Sequence, residues 1–235
     1  MDPSERPRFA IYFAPAQHSP LSELGDSWLG RDVRSGLEVQ QPEVSDLPGE
    51  RFAALTAAPR FYGFHATLKP PFHLAKLVSL AKLEERCARF AADLPAAKVP
   101  PLEVAELDGF LALLPSERAP ELNGLAAACV ESFDDLREPA DAADLAERHS
   151  PGLTERQAAM LERWGYPFVM EDFRFHMTLS QSLDGEEREL LAASARQHFA
   201  VILEEPLVVD AVSLFAQPDR RSPFRELGRF PLQGA

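Results

Sequence analysis

The sequence predicts an α+β fold of two lobes, each an antiparallel sheet with helices on its outer face, with the uncovered sheet faces opposed across a central cleft. Three observations carry this expectation. Short segments alternate apolar and polar residues with period two, as strands buried on one face do. Longer stretches between them place apolar residues at helical spacing. The order helix, His-x-Thr strand, helix, strand pair is stated twice along the chain. A repeat this long is not a solenoid, and one-sided strands suit antiparallel sheets covered on a single face. With 235 residues the chain can form one bilobal domain spanning 1–235.

Arg8 to Ala14 reads as the opening strand, with Phe9, Ile11 and Phe13 on one face and Ala10 and Tyr12 on the other. Ser19-Pro20 starts a helix to about Leu29, with Ser19 as cap and Pro20 at the first helical position. Residues 31–49 are rich in Gly, Pro and polar side chains and predict a loop. A short helix follows near 50–57, ending before Pro59. The first His-x-Thr strand spans about 62–69 and is stopped by Pro70-Pro71. From Ala75 to Asp93, Leu77, Leu80, Leu83, Cys87 and Phe90 form a helical stripe. Strands near 101–107 and 109–114 turn at Asp108-Gly109. A helix from Glu121 to Leu136 carries Leu122, Leu125, Cys129 and Phe133 on one stripe. The region 134–150 is dense in Asp, Glu and Ala and connects the lobes. Thr154 and Gln157 have capping-box spacing and open a helix to Trp164. The second His-x-Thr strand spans about 172–180, followed by a helix over 185–199 and strands over 206–217 and 223–231.

Two segments stand out: Phe64-His65-Ala66-Thr67-Leu68 and Phe175-His176-Met177-Thr178-Leu179. In an extended strand His65 and Thr67 share one face and the apolar residues the other, and the same holds for His176 and Thr178. Two such strands on opposing lobes would make a pocket with two imidazoles and two hydroxyls. By the same parity Arg174 shares a face with His176, Lys69 with Thr67, and Tyr12 lies opposite Phe9, Ile11 and Phe13. Arg174, Lys69 and Tyr12 are therefore candidate substrate-binding residues, the two cations for a phosphate. Phe110, Ser213, Phe215 and Gln217 are candidate contacts for a base or sugar. His18, His73, His149 and His198 fall in loops or helix ends and are given structural roles.

Thirty-seven Asp and Glu against 24 Lys and Arg give a net charge of −13. Such a surface repels a long phosphate backbone, so a duplex or long RNA partner is disfavoured, while a small phosphorylated substrate in a locally basic pocket is not. No apolar run is long enough to cross a membrane, and the polar start Met-Asp-Pro-Ser-Glu-Arg has no apolar segment behind it. Cys87 and Cys129 lie on apolar stripes and are expected as buried free thiols in a reducing cytoplasm. Neither motif has the His-x-x-x-His or His-x-Asp pattern of a metal site, so no metal and no cofactor are expected.

The paired His-x-Thr motifs resemble the two-histidine (2H) phosphoesterase superfamily, which includes the LigT-like bacterial 2'-5' RNA ligase-like proteins and cyclic phosphodiesterases. The strings Ala10-Ile-Tyr-Phe-Ala-Pro15, Tyr62-Gly-Phe-His-Ala-Thr-Leu-Lys-Pro-Pro-Phe72 and Phe173-Arg-Phe-His-Met-Thr-Leu179 are similar to its DUF1045 branch, often encoded beside phosphonate-degradation genes. The resemblance implies a bilobal fold and metal-independent opening of a cyclic phosphodiester. Water would attack phosphorus in line with the leaving sugar oxygen, with His176 as general base, His65 as general acid, and Arg174, Lys69, Thr67 and Thr178 on the equatorial oxygens. The competing expectation is a non-catalytic module that binds a phosphorylated metabolite in the same cleft.

Overall fold

In a computed structural model that describes residues 6–139, 145 and 152–234, the chain opens with strand β1 (Arg8–Phe13). Its Phe9, Ile11 and Phe13 enter the main core, and Ala10 and Tyr12 face the other way, as period two requires. Helix α1 (Pro20–Leu29) starts where the Ser19 hydroxyl accepts the Ser22 N–H, and ends at Gly30 with φ of 76°. The 31–49 loop is pinned: Arg31 donates to the Arg60 and Phe224 carbonyls, and Gln41 to the Trp28 carbonyl and the Thr56 hydroxyl. The helix expected over 50–57 is a pair, α2 (Gly49–Leu55) and α3 (Ala57–Tyr62). Pro59 does not end it, because it sits in the first turn of α3, where its missing N–H has no helical acceptor.

Strand β2 (Ala66–Phe72) runs through Pro70-Pro71 instead of stopping there. Its pairing with β1 shifts register twice, between Phe9 and Ile11 and between Ile11 and Tyr12. The two prolines fall where the ladder is already broken, so their missing N–H groups cost little. Helix α4 (Leu80–Asp93) is capped by Ser79, which leaves Leu77 outside the helix and fully exposed instead of on its stripe. Strands β3 (Ala97–Leu107) and β4 (Phe110–Pro115) turn at Asp108 and Gly109, with φ of 49° and 92°; positive φ at both turn residues matches the right-handed strand twist. Helix α5 (Pro120–Ser132) buries Leu122, Leu125 and Cys129, and Phe133 completes the stripe just beyond its end. Of the acidic stretch 134–150, Asp134–Leu136 form a 3-10 turn; most of the remainder, with His149, lies outside the described residues. Helix α6 (Glu155–Trp164) has the expected capping box of Thr154 and Gln157. Strand β5 (Met177–Ser182), helices α7 (Gly185–His198) and α8 (Ala200–Leu203), and strands β6 (Pro206–Val209), β7 (Ala211–Gln217) and β8 (Arg225–Pro231) complete the chain.

The strands pair antiparallel in the order β6-β3-β4-β5-β2-β1-β7-β8. The two expected sheets are the four-stranded halves of this curled order. They meet at a single pair, Ala66 with Met177, between the two motif strands. The strand expected over 206–217 splits at Asp210, because β6 pairs with β3 in one half and β7 with β1 in the other. The sequence repeat and the spatial halves therefore do not coincide. The pair β3–β4, which follows the first motif, lies beside the second motif strand, and β7 and β8 lie with the first. Helices α4, α5 and α7 cover one face, over a continuous apolar cluster running under both halves. Cys87 and Cys129 are free and buried there. No helix among the described residues is long and apolar enough to cross a membrane.

Candidate active site

The seam between the halves places the two motifs. Ala66 and Met177 are paired and point into the core. Antiparallel register then sets His65 beside Thr178 and Thr67 beside His176 on the opposite face. These four side chains line one cavity of about 470 Å³. Diagonal neighbours across an antiparallel pair are about 7–8 Å apart, a spacing that leaves room for one tetrahedral group between two imidazoles.

Both histidines sit one residue before their strands, where the ladder has not begun. Each ring is anchored in the same way: His65 Nδ1 lies 2.8 Å from the Gly63 carbonyl, and His176 Nδ1 lies 2.8 Å from the Arg174 carbonyl. A carbonyl only accepts, so both Nδ1 atoms carry protons and both Nε2 atoms are left for chemistry. Thr67 Oγ1 lies 3.4 Å from His65 Nε2. Gly63 adopts φ of 83°, and a Cβ there would strike the Val33 side chain at 2.3 Å, so the carbonyl that orients His65 depends on glycine.

The two rings have different surroundings. Tyr12 stacks on His65 with ring centroids 3.8 Å apart and planes 20° from parallel. In the register of the other half the position equivalent to Tyr12 is Ala112, opposite Thr178. The aromatic ring near His176 is Phe110, at 5.8 Å and 55°. Burial, with a smaller contribution from His176, lowers the His65 imidazole to about 4, although the Gly63 carbonyl favours its charged form. His176 is lowered by burial too, but the Arg174 carbonyl and Asp108 favour its charge. Burial also raises the Tyr12 phenol, so it is a neutral platform.

The predicted cations are placed differently from expectation. Lys69 does not line the cavity. It is 2 % exposed, its Nζ donates to the Val130 carbonyl at 2.8 Å, and it lies 3.5 Å from Asp134. The bulge is the cause: Tyr12 pairs with Thr67 but Ile11 pairs with Lys69, so an extra residue turns Lys69 onto the core face with Ile11. Arg174 is exposed and lines an adjoining cavity, also about 470 Å³, that shares His176, Thr67, Pro70, Phe110 and Tyr166 with the first. Sequence parity missed Arg8 and Arg220, both in the wall of the histidine cavity. Arg8 was accessible to the same period-two logic, since it shares the face of Tyr12. Arg220 lies in the β7–β8 loop and has no such signal. Phe110 lines both cavities, whereas Ser213, Phe215 and Gln217 are buried beneath the Tyr12 face. Among the described residues no cluster of His, Cys, Asp and Glu is disposed to hold a metal.

The lowered His65 has a measurable consequence. A histidine of reduced native pKa contributes stability that is complete above its ordinary value and is lost as pH falls toward about 4. For a half-buried ring the loss is on the order of 1–3 kcal/mol. Asp26, raised by burial to about 6, works in the opposite sense over the same window. The His65 effect is therefore read by difference: between pH 7 and pH 4.5, urea unfolding should cost wild type more stability than it costs His65→Asn. Equal losses would place the imidazole in an unperturbed setting.

A family model described as "Protein of unknown function (DUF1045)" matches residues 67–225. Two curated proteins named ribose 1,5-bisphosphate phosphokinase PhnN are similar to the chain. That of Janthinobacterium sp. (strain Marseille) is 40 % identical over 231 residues, covering 97 % of this chain and 51 % of the relative. That of Laribacter hongkongensis (strain HLHK9) is 35 % identical over 226 residues, covering 93 % and 50 %. The chain thus spans about half the length of the curated relatives it matches. Among solved structures, TT0787 of Thermus thermophilus aligns with a TM-score of 0.44 at 14 % identity, covering 97 % of this chain and 98 % of that one. E. coli LigT complexed with 3'-AMP aligns at 0.43 and 15 %, covering 97 % and 99 %. With the family model matching well over half of its residues, the chain belongs to the DUF1045 family.

Proposed function

We propose that the chain is a metal-independent two-histidine phosphoesterase that opens a small cyclic phosphodiester. The observation that carries this reading is the pairing of Ala66 with Met177, which sets two Nδ1-anchored imidazoles and two threonines around one cavity. One Nε2 takes a proton from water as its oxygen bonds to phosphorus. The other gives a proton to the sugar oxygen as the P–O bond breaks. The product is a phosphomonoester with a free hydroxyl, and solvent exchange restores both rings. Thr67 and Thr178 donate to the non-bridging oxygens, where negative charge is held in the transition state.

The electrostatic asymmetry favours His65 as the base and His176 as the acid, the reverse of the assignment made from sequence. His65, on its Tyr12 platform, is neutral at pH 7, whereas Asp108 supports a proton on His176. Arg174, in the adjoining cavity, is placed to hold the part of the substrate beyond His176.

The names of the relatives narrow the substrate. They are named for the phosphorylation of ribose 1,5-bisphosphate, and this chain spans half their length. The 235 residues contain no Gly-Lys step, so the phosphate loop of a P-loop kinase is not in this segment. A ribose cyclic phosphate, opened to a ribose phosphomonoester, joins the two chemistries. The test is phosphorus NMR of the protein with ribose cyclic phosphates and 2',3'-cyclic nucleotides in EDTA. Conversion of at least one to its monoester is expected. Saturable binding of them without product would instead make the cleft a binding module.

A further inference from the structure

We propose that Arg8 and Arg220 form an anion subsite beside the two histidines, which takes a phosphomonoester carried elsewhere on the same substrate molecule. This deepens the phosphoesterase reading, on which it rests for the position of the reacting group. A cyclic phosphodiester has one negative charge, met by the imidazoles and threonines, yet the same cavity carries two further guanidinium groups.

Arg8 is held in place by neutral groups. Its Nε donates to Gln217 Oε1 at 2.8 Å, and its Cζ stands 5.6 Å from the centre of the Phe224 ring. Gln217 is oriented in turn, its Nε2 donating to the Ser222 carbonyl at 2.7 Å. The Tyr62 and Tyr12 phenols lie close enough to Arg8 to favour its charge, while Arg220 is near enough to oppose it. Two guanidiniums facing each other across a half-buried cavity, in a chain of net charge −13, are stabilised by an anion between them.

Tyr62 measures the separation. Its ring lies 6.4 Å from the His65 ring and stacks on Phe224 at 5.3 Å, with Arg8 over the same Phe224. The subsite is thus about one tyrosine's length from the reacting imidazole, a distance a pentose bridges between a cyclic phosphate at one end and a monoester at the other. The cavity of about 470 Å³ has room for both.

The experiment is isothermal calorimetry of ribose 5-phosphate and of ribose with wild type, Arg8→Gln, Arg220→Gln and His65→Ala, each checked for a wild-type circular dichroism spectrum. Ribose 5-phosphate should bind wild type and His65→Ala, and bind either arginine variant about 10- to 100-fold more weakly; ribose should bind none. Arg8→Lys, which keeps the charge but not the fork, should recover part of the loss. Equal affinity of ribose 5-phosphate for wild type and both arginine variants would overturn the subsite. So would affinity lost in His65→Ala and kept in Arg8→Gln, which would seat the monoester between the histidines. Because this readout needs no turnover, it is separate from the fate of the phosphoesterase reading, which the cyclic-phosphate assay decides.

Discussion

Replacing His65 or His176 with alanine should lower turnover of a cyclic phosphate by about 10²- to 10⁴-fold each, the range of a positioned general acid or base, with little change in melting temperature. Both rings are half-buried at the mouth of the seam, so truncation removes an Nε2 from the cavity without opening the apolar cluster behind Ala66 and Met177. The two variants should differ in one respect. A p-nitrophenyl phosphodiester has a leaving group that departs without a proton, so it relieves the need for an acid but not for a base. His176→Ala should recover most of its activity on such a substrate, and His65→Ala should not. Full activity of both variants on a cyclic phosphate would remove the histidines from the chemistry. Recovery by His65→Ala alone would return the acid role to that residue.

The largest expected effect on stability is at Trp28. The residue is fully buried, its Nε1 donates to the Leu179 carbonyl at 3.0 Å, and its ring packs 4.9 Å from Phe52 and 5.8 Å from Phe199. Leu179 is the core-facing neighbour of Thr178 in β5. Helix α1 therefore braces the second motif strand through one indole. Trp28→Ala should cost about 3–5 kcal/mol through the cavity it leaves, to which the orphaned carbonyl adds. For a chain of this length that is a fall in melting temperature of about 10 °C. Trp28→Phe keeps most of the apolar volume and loses only the hydrogen bond, so it should cost about 1–3 kcal/mol. Chemical denaturation of the two variants measures both. A loss below about 1 kcal/mol for Trp28→Ala, well under the usual cavity cost, would mean that α1 does not brace β5.

What was legible in the sequence was local. Period two placed Phe9, Ile11 and Phe13 in the core and Tyr12 opposite them, and it placed His65 with Thr67 and His176 with Thr178. Capping chemistry located the starts of α1 and α6. The same period failed at Lys69, since a bulge adds one residue to the count and nothing in Thr-Leu-Lys-Pro announces it. Pro70-Pro71 signalled a strand end that the bulge absorbs. Leu77 has helical spacing but precedes the Ser79 cap, which no periodicity count weighs. Pairing between distant strands was beyond reach in a different way. That β3 and β4 would sit beside β5, and that Asp210 would divide 206–217 between two halves, depends on partners far apart in the chain. The cations of the site illustrate both cases. Arg8 follows from the face of Tyr12, and Arg220 follows only from the path of the β7–β8 loop.

The central claim is that His65 and His176 present Nε2 to the same anion. Nitrogen-15 NMR of the histidine rings during a titration with ribose 2-phosphate, the type of monoester that ring opening would release, reads this directly. Both Nε2 resonances should shift with one common midpoint, while those of His73 and His198 stay in place. Movement of one ring without the other, or two separate midpoints, would contradict a shared site.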